Sequence, residues 1–231
     1  EVFKGQDAAL KRRVAVKFLN SNLSASSEAR SRFWNEAINA GLLDHPCIPP
    51  LYDLNVDEQG RPFYVMRFIE GRTLREILES PADERWTLQR LIAVVVQVSG
   101  ALQFAHDRNI LHLDVKPDNI MTGQYGEVYL LDWGISENYQ PENKSEESSD
   151  SDKSRLRGTP AYMSPEQADS APDLTPASDV FSLGVLLFEL ITGHRPFLGN
   201  TTDAVLEQVR AATIVSSDEW KKCPQDLKQI V

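Results

Sequence analysis

The sequence predicts an α+β chain in two lobes: a small, mostly antiparallel β lobe with one helix over residues 1–69, and a larger, mainly helical lobe over residues 70–231. Before residue 70 the apolar residues mostly alternate with the period of a strand; after it they recur at helical spacing. The composition agrees, because 231 residues at 41% hydrophobic and 25% charged make an ordinary globular chain that needs no disulfide or metal to fold.

Arg13 to Leu19 reads as a strand, with Val14, Val16 and Phe18 on one face and Ala15, Lys17 and Leu19 on the other. Ser26 or Ser27 caps a helix in which Phe33, Ala37 and Ala40 form a stripe, with Glu36 beside it. Strands follow around Pro50–Leu54 and Pro62–Phe68, separated by the turn Asp57-Glu58-Gln59-Gly60. Thr73 and Glu76 form a capping box, and Leu91, Val95, Val98, Leu102 and Ala105 mark a long helix. Short strands and loops fill Ile110 to Ile135. Thr175-Pro176 opens a further helix with Val180, Leu183, Leu187 and Leu190 on its apolar face. Between Glu137 and Asp152, six acidic residues against Lys144 predict a mobile loop, pinned at Asp132-Trp133-Gly134 and Gly158-Thr159-Pro160.

The charge balance of 24 basic against 34 acidic residues, −10 in all, offers no footprint for nucleic acid. The apolar stretches Leu91–Val98 and Val180–Thr192 read as too short or too interrupted to span a bilayer. Cys47 and Cys223 lack metal-ligand spacing and point to a reducing compartment, hence the cytoplasm. His45, His106 and His194 show no ligand spacing, and His112 reads as a packed residue.

The most informative run is His112-Leu113-Asp114-Val115-Lys116-Pro117-Asp118-Asn119, followed by Leu131-Asp132-Trp133-Gly134. It resembles the catalytic and metal-binding loops of the protein kinase family. The likeness extends to VAVK ending at Lys17, to Glu36, to TPAYMSPE at 159–166 and to Asp179. Phosphoryl transfer asks chiefly for positioned charge, which these residue types supply. The resemblance implies that Lys17 holds the α- and β-phosphates and that Glu36 holds Lys17. It makes Asp132 and Asn119 the Mg²⁺ ligands, with Mn²⁺ as a substitute. Asp114 takes the hydroxyl proton, Lys116 steadies the γ-phosphate, and Thr159 lines the acceptor site. Val2, Ala15, Met66, Arg67 and Ile69 belong to the nucleotide site in the same reading, with Met66 gating the adenine pocket and Arg67 to Ile69 forming the hinge. On residue type alone, Lys17 reads as an edge-strand charge and Met66 as a strand end.

Lys116-Pro117 and Gly158-Thr159-x-x-Tyr162 are similar to the serine/threonine-specific branch, and YMSPEQA with LLDWGIS to its bacterial members. The expected function is transfer of the γ-phosphoryl of Mg·ATP to protein Ser/Thr hydroxyls, with a catalytically silent binding module as the rival and a small-molecule phosphotransferase as a weaker one. ATP and protein substrates are the expected partners. Some of Ser145, Ser148, Ser149, Ser151 and Ser154 are expected to be autophosphorylated. The chain departs from the family at Leu113, which stands in place of an arginine that binds phosphate, and at Trp133, in place of phenylalanine. The family's glycine-rich loop would end just before Glu1 and its last helices would follow Val231. The expectation is therefore a piece of a longer domain with weak ATP binding and low stability by itself.

Overall fold

The computed structural model describes residues 1–23, 26–80, 85–133, 137–138, 158–214 and 220–221. A four-stranded antiparallel sheet comes first, in the order β1-β2-β4-β3. Its strands are β1 (Val2–Asp7), β2 (Arg12–Phe18), β3 (Leu51–Val56) and β4 (Pro62–Arg67). The strand over Val2–Asp7 was not expected, and β3 runs two residues beyond the expected Leu54. Between β2 and β3 lies helix α1 (Ser27–Leu42), whose N-cap Ser26 accepts a hydrogen bond from the Ala29 amide. Phe33 and Ala37 of α1 pack with Leu19 and Tyr64 in the small core under the sheet. Each large side chain buried there contributes roughly 1.5–3 kcal/mol.

Next come β5 (Gly71–Thr73) and α2 (Leu74–Leu78), joined by the expected Thr73–Glu76 capping box. Helix α3 (Leu88–His106) follows, with β6 (Ile110–Leu111), β7 (Ile120–Gly123), β8 (Val128–Leu130) and the short β9 (Glu137–Asn138). The last described helices are α4 (Pro165–Ala168), α5 (Pro176–Thr192) and α6 (Thr202–Arg210). Leu91, Val95, Val98, Leu102 and Ala105 of α3 are all buried, in one core with Leu130, Trp133 and Leu186. Leu43, Cys47 and Ile48, just after α1, reach into that same core.

Two expectations need correction. On α5, Val180 is 61% exposed, while the buried side includes Ser178, Asp179 and Ser182. Polar groups face inward there because they hold neighbouring backbone, a role that an apolar-stripe reading cannot see. Helix α3 is, by length and composition, long and apolar enough to cross a bilayer, contrary to the segment-length argument. In this fold its apolar stripe is spent on the core instead. The acidic stretch beyond β9 and the five serines lie outside the described residues.

Candidate active site

Lys17 stands on the inner face of β2, where strand alternation sends it toward α1 rather than to solvent. Its Nζ lies 2.5 Å from Glu36 Oε1 and 2.8 Å from Asp132 Oδ1. Glu36 is only 7% exposed and Asp132 47%. Burial works against the charge on Lys17, but Glu36 and Asp132 outweigh it and hold its pKa above the ordinary lysine range. Burial lifts the Glu36 carboxyl above the usual range although Lys17 pulls the other way. For Asp132 the opposite balance holds, and Lys17 more than offsets burial to keep it below the usual range. The ion pairs with Lys17 thus join β2, α1 and the segment after β8.

Lys17 and Asp132 line a cleft of about 180 Å³ that also presents Val2, Met66, Asn119 and Trp133. Its walls are mainly apolar, from Ile48, Leu51 and Leu131, as a planar heterocycle would require. Asn119 leads out of the cleft to a second cluster. Its Nδ2 donates to Asp114 O at 2.9 Å and to Asp114 Oδ2 at 3.1 Å. Lys116 Nζ donates to Asp114 Oδ2 at 2.6 Å and to Thr159 Oγ1 at 2.7 Å. The Thr159 amide and hydroxyl then donate to Asp114 Oδ1 at 3.0 and 2.8 Å. Asp114, Lys116 and Thr159 therefore close one hydrogen-bonded ring, with Asn119 attached to it through Asp114.

The backbone around Asp114 is held from below. Asp179, at the start of α5, is fully buried and accepts from the His112 and Leu113 amides at 2.9 and 2.7 Å. His112 Nδ1 accepts from the Asp114 amide at 3.2 Å, which leaves Nε2 to donate to Leu131 O at 3.0 Å. Its ring meets Trp133 edge-on at 4.7 Å, so the larger aromatic still packs where the family has phenylalanine. Leu113 is buried and left-handed, with φ of 65°, and Asp132 has φ of 62°. Such a conformation costs a non-glycine residue roughly 1–2 kcal/mol, so each needs its hydrogen bonds to persist. Gly158 completes the enclosure at φ of 107°, where an added Cβ would lie 2.9 Å from Leu113 O.

Three expected nucleotide residues do not line the cleft with Lys17. Ala15 is buried in the sheet opposite Met66, while Arg67 and Ile69 border a larger cleft of about 420 Å³. In that larger cleft Arg12 and Arg13 are already bonded to Asp7 and Glu70, which leaves it a poor phosphate site. Glu166, the last residue of TPAYMSPE, accepts from Ser178 Oγ at 2.7 Å. Tyr64, whose hydroxyl donates to Glu36 Oε1 at 2.5 Å, was missed as part of the site, while Asp179 and Gly158 were named in the sequence without the anchoring and enclosing contacts they make. For Tyr64 a signal existed, since strand alternation puts Tyr64 and Met66 on one face of β4.

The donor set suits a divalent cation. A carboxylate at Asp132 and the amide oxygen of Asn119, whose nitrogen is used by Asp114, are hard oxygen ligands facing one cleft. Among the described residues no group of three or more His, Cys, Asp or Glu could hold a metal ion.

Comparison with known proteins gives a consistent answer. The family model described as "Protein kinase domain" matches residues 1–231. Serine/threonine-protein kinase PknD of Protochlamydia amoebophila is 32% identical over 242 residues, covering 96% of this chain and 24% of that protein. Serine/threonine-protein kinase PknB of Mycobacterium leprae is 36% identical over 235 residues, covering all of this chain and 36% of PknB. A probable serine/threonine-protein kinase of Corynebacterium efficiens, CE0033, is 38% identical over 211 residues, covering 90% of this chain and 31% of that protein. The chain thus spans about a quarter to a third of the length of these curated relatives.

Proposed function

Since this chain belongs to the protein kinase family, we propose that it is the catalytic part of a serine/threonine kinase that moves the γ-phosphoryl of ATP to protein hydroxyls. The observation that carries this reading is the double role of Asn119. It lines the cleft with Lys17 and Asp132 and also bonds Asp114, so phosphate cation, metal ligands and proton acceptor share one site. Family membership implies ATP and a divalent metal in general terms, and the choice of Mg²⁺, with Mn²⁺ as substitute, is part of the proposal.

In this mechanism Lys17 binds the α- and β-phosphates, and Glu36 keeps its ammonium from swinging to solvent. Asp132 and Asn119 would hold the cation, which when bound supplies neutralisation of phosphate charge. Val2 borders the nucleotide from the sheet side and Met66 limits the depth of the adenine cavity; the roles of Ala15 and of the Arg67 to Ile69 backbone require a nucleotide that reaches beyond the cleft lined by Lys17. Asp114 orients the incoming Ser/Thr hydroxyl and accepts its proton as the oxygen attacks phosphorus. Lys116, already bonded to Asp114 and Thr159, carries positive charge to the γ-phosphate. Thr159 borders the acceptor and holds Asp114 until substrate replaces it. A cytoplasmic location, with its ATP and reduced thiols, fits the same reading. No residue of the site argues for the silent-module alternative. Nucleotide binding tests the proposal: ATP affinity that rises with Mg²⁺, and loses that rise in Asp132→Asn, is expected, whereas Mg²⁺-independent binding in both would contradict it.

A further inference from the structure

Tyr64 sits on β4 directly opposite Lys17 of β2 in the strand register. It is 4% exposed, and its ring is fixed against Phe33 of α1 at 5.2 Å. Its hydroxyl lies 2.5 Å from the same Glu36 oxygen that Lys17 Nζ approaches at 2.5 Å. One carboxylate oxygen therefore takes two donors, one from each of two paired strands. Lys17 is in turn contested, because Asp132 Oδ1 lies 2.8 Å from the same ammonium. Asp132 is the more exposed of the two carboxylates and can exchange partners with water or a cation. Glu36 has no such freedom, being only 7% exposed.

From this geometry we infer that Tyr64 is a positioning residue: its hydroxyl holds the Glu36 carboxylate in place on Lys17 while Lys17 is shared with Asp132 and phosphate. The inference rests on the phosphotransfer reading above for its catalytic consequence, but not for the contact itself. Without the hydroxyl, Glu36 depends wholly on a lysine that two other groups also attract. With it, the carboxylate keeps one bond that neither Asp132 nor nucleotide can withdraw. The groups facing Glu36 are then Lys17 from β2, Tyr64 from β4 and Asp132 from the segment after β8, with His112 acting on Asp132.

Phenylalanine at Tyr64 keeps the ring and removes only the donor, so the test is a double-mutant cycle of Tyr64→Phe and Glu36→Met in the full-length protein. Hydrogen bonds to a charged partner are the strong ones, so Tyr64→Phe should lower kcat/KM for ATP by about tenfold. It should also lower the urea unfolding midpoint in the parent. In the Glu36→Met background the same change should leave the midpoint unchanged or raise it, because the hydroxyl there has lost its acceptor. A residue that only fills the core would lower the midpoint equally in both backgrounds, and that result overturns the inference. So does a Tyr64→Phe protein with parental kcat/KM and midpoint. A parent that transfers no phosphate would defeat the phosphotransfer reading, while the unfolding cycle would still decide for or against the Tyr64–Glu36 coupling.

Discussion

Replacing Asp179 with asparagine removes a charge and one acceptor from a fully buried site while changing its volume little. Oδ1 accepts from the Leu113 amide at 2.7 Å, and Oδ2 accepts from the His112 amide at 2.9 Å with His106 Nε2 at 2.8 Å. An asparagine would place its oxygen toward the pair of donors and its NH₂ against the Leu113 amide. Losing a hydrogen bond to a charged acceptor costs about 1.5–3 kcal/mol, and a buried donor left without a partner costs about 1–3 kcal/mol more. The sum, about 2.5–6 kcal/mol, brackets the roughly 3–5 kcal/mol that breaking a buried ion pair usually costs and is a large fraction of a domain's roughly 5–15 kcal/mol. Leu113, whose left-handed φ of 65° is held partly by that bond, would then relax and carry Asp114 away from Lys116 and Thr159. Urea unfolding followed by tryptophan fluorescence gives the first quantity, and phosphate transfer below the unfolding transition gives the second. A loss under about 1 kcal/mol with unchanged transfer would refute the claim that α5 anchors the loop.

Gly158→Ala combines a Cβ 2.9 Å from Leu113 O with a φ of 107°, so it should cost at least about 1–3 kcal/mol and lower transfer; equal melting of the two proteins would count against the enclosure described. Arg75 donates to Glu189 at 2.9 Å and to the Tyr162 hydroxyl at 2.6 Å. Arg75→Met should therefore cost about 3–5 kcal/mol, with much of the loss recovered in Arg75→Met/Glu189→Met, and additive losses in unfolding would contradict the network. A fourth prediction concerns pH. Burial and then the Glu36 carboxylate hold the Tyr64 phenol un-ionised far above its usual range of 10, so in alkali the unfolded chain releases a proton that the folded chain keeps. Stability should be intact below about pH 10 and fall above it by up to about 1.4 kcal/mol per pH unit from this group. Tyr64→Phe should flatten that limb, and an unaltered slope would contradict it.

The elements that bury one face were legible because their periods are unambiguous: β2, α1 and the α3 stripe follow directly from residue spacing, while only the structure chooses Ser26 over Ser27 as the α1 cap. Strand β1 was not, since its exposed Val2 and Phe3 mark no apolar face and only pairing with β2 reveals it. The transfer cluster was legible through the family resemblance, because Asp114, Lys116 and Asn119 lie in one of the runs that carry it and Thr159 in another. Asp179 and Tyr64 act on residues 66 and 28 positions away, contacts that no local pattern encodes. Val180 misled for a related reason: on a helix whose buried side carries serine and aspartate, hydrophobicity alone points to the wrong face.

The central claim is that one cleft joins the Lys17–Glu36–Asp132 cluster to the Asp114 ring for phosphoryl transfer to hydroxyls. Its most direct test is transfer of labelled phosphate from Mg·ATP to a general Ser/Thr substrate by the full-length protein, beside Asp114→Asn and Asp132→Asn, with the labelled residue identified. Phosphoserine or phosphothreonine formed by the parent and reduced at least about a hundredfold in both variants is the expected result, since general-base assistance alone is worth that much. Equal transfer by all three folded proteins, or none by the parent, would contradict the account.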